Sequence, residues 1–325
     1  RIGYRWLVGY ASTFYKAEAN AEGRAFFTAK VAFAVGGSHQ GKVFPCFGRA
    51  ALPDGQLPSC APSWHRKTHE DFSLLWILLV HDYWSATGDS QFIEKNWPRI
   101  LGVLNAPWDS HPSGLWNTDG LNVFIDWGVL REDRQGTANA SINILRCGIL
   151  KIAARMARAV NREEEAIAFE QSSESVEAAL TKHLWCEKDG RFRASLSDQR
   201  SPALHANIWA LYFGIGEPRP LLDYLTPHLR ENFKNGVERG QWSGHVELYF
   251  LYYTFEALAL HGQHELIETL IDEHYGFLEG LHYGTLNECF CRAIRGVGSC
   301  CHTWSSGAAV YAHQYILGLR QIEAG

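Results

Sequence analysis

A single Met stands among 325 residues, and most of the sequence signals that would exclude whole classes of function are missing as well. No apolar run reaches the roughly 18 to 20 residues that a bilayer-spanning helix needs. The longest, at 72–80, is stopped by His81-Asp82. A formal net charge of −5 gives no basic surface for nucleic acid or anionic lipid. There is no Gly-x-Ser-x-Gly, no phosphate-cradling Gly-rich loop and no His-Glu-x-x-His; His65 and His69 have i, i+4 spacing without the surrounding motif. No low-complexity linker divides the chain and no repeat runs through it. These absences leave a soluble chain without membrane, nucleic-acid, metal or cofactor signals, and they indicate neither a compartment nor an oligomeric state.

Cysteine is present without a framework. Of eight, Cys46, Cys60, Cys147 and Cys186 are scattered, whereas Cys289, Cys291, Cys300 and Cys301 cluster beside His302. Their spacing fits no structural zinc pattern. Buried free thiols are the expectation, with a Cys291–Cys300 disulfide or a metal site as alternatives. Asn139-Ala-Ser141 has the form of a glycosylation sequon, but it falls where a helix should begin and is read as coincidence.

What the chain has in quantity is aromatic residues, with 12 Trp, 13 Tyr and 17 Phe. Packing accounts for most such rings. A set this rich in Trp also suits stacking against the C–H faces of sugars.

Strand patterns are scarce. Only 191–195 alternates, after the turn Lys188-Asp-Gly190. Helical periodicity predicts helices over 5–19, 22–35, 72–87, 91–104, 138–160, 163–184, 202–213, 218–232, 246–261, 264–274 and 305–320. Thr68-x-x-Asp71 resembles a capping box at the start of one of them, and Gly88 closes it. The helices fall into consecutive hairpins with short connections. Such a series closes into a barrel or stacks as a solenoid, and without a repeat the closed all-α (α/α)6 barrel is expected, as one domain over 1–325. The irregular segments 45–62 and 107–134 interrupt this series, and long loops on a helical scaffold tend to carry function.

Several ordered motifs then coincide: Asp71-Phe-Ser-Leu-Leu-Trp76, His81-Asp82-Tyr83 and Thr87-Gly-Asp89; Phe124-Ile-Asp126-Trp127-Gly128 before Ala138-Asn139-Ala140; Tyr249-Phe250, Glu256-Ala-Leu258 and Gly262; Gly284-Thr285 and Glu288; Ser299, Cys301-His302 and Trp304-Ser305. In this order and spacing the chain resembles glycoside hydrolase family 78, the α-L-rhamnosidases. The resemblance implies a six-hairpin α/α barrel and cleavage with inversion, in which one carboxyl protonates the leaving oxygen and another activates water. It implies Glu288 as the general base, His302 as a sugar contact, Asp126 as a holder of sugar hydroxyls, and Trp127 and Trp304 as pocket walls. Trp6, Asp71, His245 and Tyr249 complete the candidate substrate contacts.

The general acid of that family is expected near the start of the domain, in a pattern of the type Asp-x-x-x-Arg-x-Glu-x-x-x-Trp-x-x-Asp. Alignment on Trp6 sets Ile2 or Gly3 and Val8 or Gly9 at the acidic positions, and no carboxylate precedes Glu18. The chain opens on Arg1 rather than Met, so processing or omission at that end is one expectation. Another is that Glu247, in Trp242-Ser-Gly-His245-Val-Glu247-Leu-Tyr249, or Glu70 supplies the proton. A third is a descendant that binds sugar, or acts on a different and more apolar ligand, without hydrolysis. A polysaccharide lyase also shares the barrel. The expected partner in every case is a small molecule or oligosaccharide.

Overall fold

The computed structural model describes residues 52–59, 68–106, 108–198, 200–281, 284–290, 302–319 and 324. The helices expected over 5–19 and 22–35, Trp6, and Cys46, Cys60, Cys291, Cys300 and Cys301 lie outside the described residues. The described chain is mostly helical. Its helices are α1 (Glu70–Thr87), α2 (Ser90–Leu104), α3 (Arg131–Arg134), α4 (Ala140–Ala159), α5 (Glu163–Leu184), α6 (Leu204–Phe213), α7 (Pro218–Arg230), α8 (Leu248–Leu260), α9 (His264–Gly280) and α10 (Gly307–Tyr311).

Two kinds of helix alternate, and their sequences say why. In α6 every residue from Leu204 to Leu211 is buried, and in α8 every residue from Leu248 to Ala259. A helix apolar on all sides is stable only when surrounded, so these are inner helices. In α7 the buried residues are Leu221, Leu225 and Leu229, one stripe at i, i+4, i+8. In α2 they are Ile93, Asn96, Trp97, Ile100 and Val103. One buried stripe makes an outer helix. The inner helices α1, α4, α6, α8 and α10 pack side by side in that order, and α2, α5, α7 and α9 back their partners as hairpins. The described residues thus form four hairpins and a fifth inner helix, in the order of a six-hairpin α/α barrel.

The connections differ at the two ends. Gly88 and Asp89 alone join α1 to α2, with Gly88 in the left-handed conformation at the C-cap. The links that lead into α4, α6, α8 and α10 are long, so among the described residues the long links enter the inner helices at their N-terminal ends. The site lies there.

Four expectations change in detail. The helix after Thr68 has His69 as N-cap without a side-chain bond, so the capping box does not form. The Asp71 carboxylate is drawn to the backbone of another loop instead. The strand is only Arg191–Phe192, paired antiparallel with Trp185–Cys186, because the Ala194 carbonyl accepts the Ala140 N–H at 2.8 Å at the start of α4. The helix expected to stop at 274 runs on to Gly280, carried by buried Tyr275 and Leu278. The last helix ends at Tyr311 and widens to a π-turn over Ala312–Ile316.

Asn139 is buried and caps α4 by accepting the Ile142 N–H, so the sequon is a cap. Cys147 and Cys186 are free thiols. Burial pushes the Cys147 thiol up to about 11, which suits an inert core residue. Among the described residues, no helix is long and apolar enough to cross a membrane, and no cluster of three His, Cys, Asp or Glu could hold a metal.

Candidate functional site

The site begins with a strained turn. The Asp126 N–H donates to the Phe124 carbonyl at 2.7 Å, and Ile125 between them has φ 57°. A β-branched residue rarely adopts positive φ, and a three-residue turn of this hand needs outside support. Asp71, fully buried at the start of α1, supplies it. Its Oδ1 accepts the Phe124 N–H at 3.1 Å and its Oδ2 the Ile125 N–H at 2.8 Å. Burial raises the Asp71 carboxyl and these two N–H groups oppose the shift.

The turn delivers Asp126 inward. Its Oδ1 accepts the Trp127 N–H at 2.8 Å, and its Oδ2 accepts the Glu247 N–H at 2.8 Å and faces His205 Nε2 at 2.9 Å. The side chain of Arg134 donates to the Asp126 carbonyl. Burial lowers the Arg134 guanidinium, and the Asp126 and Asp71 charges oppose that. Glu247 forms a second, similar pair. Its Oε1 faces His245 Nε2 at 3.0 Å and its Oε2 accepts the Phe290 N–H at 2.6 Å. His205 Nδ1 and His245 Nδ1 have no partner among the described residues. A lone pair is cheaper to strand than an N–H, which assigns the proton of each ring to Nε2, toward the carboxylate.

Glu288 sits above this frame. The Trp127 indole donates to its Oε1 at 3.0 Å, and the Trp304 indole donates to its carbonyl at 2.7 Å. Neighbouring carbonyls are tied too: His302 N–H to Leu286 O at 2.7 Å, and the Ser305 hydroxyl to Asn287 O at 2.6 Å. Phe124 is the hub of the surrounding rings, edge-on to Trp127 at 5.1 Å and stacked with Trp304 at 5.9 Å. Tyr249 meets Trp304 at 5.0 Å and His302 lies over it at 4.0 Å. Burial lowers the His302 imidazole, with the Glu288 charge opposing. A neutral imidazole beside a carboxylate can accept or donate one hydrogen bond to a polar ligand without a buried charge.

Nearly all the described candidate residues therefore converge. Glu288, Trp127 and His302 are partly exposed. Trp304 and Tyr249 are buried rings behind them. Asp126, Asp71, His245 and Glu247 lie under the surface, at 0, 0, 1 and 0% exposure. They hold backbone and one another. Glu70, next to Asp71, is buried; burial raises its carboxyl, and its Oε2 has no partner among the described residues.

Sequence reasoning missed His205, Arg134 and the Phe290 N–H. His205 is a lone His in an apolar helix and Phe290 acts through its backbone, so neither carries a side-chain signal. Arg134 follows the Phe124–Gly128 motif, where a basic residue close to Asp126 was a usable clue.

Comparisons with known proteins agree with this fold. Residues 23–315 match the family described as the bacterial α-L-rhamnosidase six-hairpin glycosidase domain. Among solved structures, the family 78 rhamnosidase of Bacillus sp. GL1 is similar at TM-score 0.75 and 18% identity, over 93% of this chain and 32% of that one. The rhamnosidase of Klebsiella oxytoca with rhamnose bound is similar at TM-score 0.65 and 20% identity, over 81% of this chain and 51% of that one. The Streptomyces avermitilis α-L-rhamnosidase complexed with L-rhamnose is similar at TM-score 0.67 and 13% identity, over 90% and 28%. This chain thus spans from about a quarter to about half the length of these structures. No curated protein matches the sequence significantly.

Proposed function

The chain belongs to the bacterial α-L-rhamnosidase six-hairpin glycosidase family, and from that premise we propose that it hydrolyses terminal α-L-rhamnosides with inversion. Glu288 is the general base. The observation that carries this reading is the grip on Glu288: one carboxylate oxygen on the Trp127 indole N–H at 3.0 Å and its carbonyl on the Trp304 indole N–H at 2.7 Å. A base works only from a fixed position within hydrogen-bond reach of its water. The half-exposed Trp127 and His302 beside it offer a ring face and a polar edge, which suit a deoxy sugar with one apolar methyl and three hydroxyls. Two of the similar structures hold rhamnose, which supports the same substrate class here.

For the proton donor, the two candidates differ in kind. Glu247 has both oxygens engaged beneath the surface. Glu70 keeps the character of an acid, because burial favours its protonated form.

The test is release of nitrophenol from 4-nitrophenyl α-L-rhamnoside. Glu288→Gln should lose about 10² to 10⁴ in kcat, and the first sugar seen by NMR should be the β-anomer. Equal turnover by wild type and Glu288→Gln, or α-anomer first, would refute the assignment. Glu70→Gln should hurt an alkyl rhamnoside, with its poor leaving group, far more than the nitrophenyl one; equal losses would remove Glu70 as donor. Binding of L-rhamnose without any turnover would point to a non-hydrolytic sugar-binding descendant.

A further inference from the structure

Glu247 is the N-cap residue of α8, yet its side chain makes no cap bond to its own helix. The residue at that position is where a side-chain oxygen can satisfy the first-turn N–H groups. Here the side chain turns away, and two of its polar groups, Oε2 and the backbone N–H, lead toward Glu288. Its Oε2 accepts the N–H of Phe290, two residues beyond Glu288, at 2.6 Å. Its own N–H donates to Asp126 Oδ2 at 2.8 Å. Asp126 Oδ1 holds the Trp127 N–H at 2.8 Å, and the Trp127 indole holds Glu288 Oε1 at 3.0 Å. Glu288 is thus held from two directions, through its own chain and through its carboxylate, and both routes meet at Glu247. His245 fixes the remaining oxygen at 3.0 Å. The His245 ring is itself pinned, since a Cβ on Gly236 would come within 2.6 Å of it.

We propose that Glu247 is a positioning residue that sets the Glu288 carboxylate, acting through the Phe290 N–H and through the Asp126–Trp127 link. The proposal rests on Glu288 being the reactive carboxylate. A purely architectural acid would stabilise the loop without controlling where the Glu288 oxygens point. A positioning residue is felt in turnover more than in binding, because a shift of about 1 Å at a reacting group costs on the order of 10²-fold.

The test uses Glu247→Gln, which is nearly isosteric and still offers an oxygen to Phe290. Expected is a kcat on 4-nitrophenyl α-L-rhamnoside lower by about 10- to 100-fold, with KM and the L-rhamnose dissociation constant within about threefold. The second readout is independent of turnover. The Trp127 indole ¹H–¹⁵N resonance, assigned by its loss in Trp127→Phe, should move upfield as its bond to Glu288 lengthens. An unmoved indole resonance, or kcat and rhamnose affinity falling together with the folded fraction, overturns the proposal. If Glu247→Gln does not fold, Phe290→phenyllactate removes the N–H and keeps the ring. It should give the same kcat-selective loss and indole shift, and their absence is equally fatal. A wild type without turnover sinks the hydrolase reading, while the indole resonance still decides the positioning role.

Discussion

Replacing Asp126 by Asn removes one oxygen and one charge while keeping the shape, so its cost can be worked from hydrogen bonds alone. Three nitrogens converge on the two oxygens: Trp127 N on Oδ1, and Glu247 N and His205 Nε2 on Oδ2. If the Asn oxygen stays with Trp127, its NH₂ confronts the Glu247 N–H, donor against donor. His205 can adapt only by moving its proton to Nδ1, which has no partner among the described residues. If the amide is turned round, the Trp127 N–H is the one stranded. Either way a buried N–H is left unsatisfied, at about 1–3 kcal/mol, and the surviving bonds lose the extra ~1 kcal/mol of charge assistance. A total of about 3 kcal/mol results. At about 2.1 cal/mol/K per residue, a chain of this length has an unfolding entropy near 0.7 kcal/mol/K, so Tm should fall by about 4 °C. Calorimetry of wild type and Asp126→Asn measures it. A Tm within about 1 °C of wild type, with only KM raised, would refute the reasoning; it would mean that Asp126 meets the ligand, as the sequence suggested, and does not brace the frame.

The remaining predictions concern packing and pH. A Cβ on Gly128 would lie 2.3 Å from the His245 carbonyl and 3.2 Å from Glu247 Cγ. Gly128→Ala must push the backbone of two loops apart, at about 1–3 kcal/mol by overpacking, and should lower both Tm and kcat because Trp127 is the next residue; unchanged values of both would refute the close approach. His274 is buried between the Leu270 carbonyl, which its Nδ1–H meets at 2.7 Å, and the Asn232 amide, which donates to Nε2 at 2.9 Å. Burial lowers its imidazole from 6.5 to about 4. Between those values the unfolded chain takes up a proton that the folded chain refuses, so its stability contribution is intact above pH 6.5 and is lost as pH falls toward 4. Urea unfolding at pH 7 and 4.5 should show wild type losing about 2 kcal/mol more than His274→Gln. An equal loss in both would place the acid sensitivity elsewhere.

The hairpins were legible because their signal is local. Leu204 to Leu211 is apolar at all but His205 and Asn207, whereas Leu221, Leu225 and Leu229 form one stripe, so inner and outer helices can be told apart by pattern before any contact is known. The residues of the site were legible as a set for the same reason: Asp126-Trp127, Glu288 and His302-x-Trp304 are short motifs in order. What each residue does was not legible. Asp71 looked like half of a capping box, and it clamps a turn more than 50 residues away, a separation of 53 to Phe124. Glu247 and Asp126 are 121 residues apart and share a hydrogen bond; Trp127 and Glu288 are 161 apart and share another.

Period governs where a helix turns its face, but most of these carboxylates stand on loops or at helix starts, where no period fixes a direction. The sequence by itself determined the helical hairpins and pointed to the residues of one candidate pocket. Only tertiary structure decided which carboxylate is partly exposed, at Glu288, and which lie beneath it as braces, because a buried carboxylate needs donors for both oxygens, and Asp71, Asp126 and Glu247 each take at least one from a segment distant in sequence.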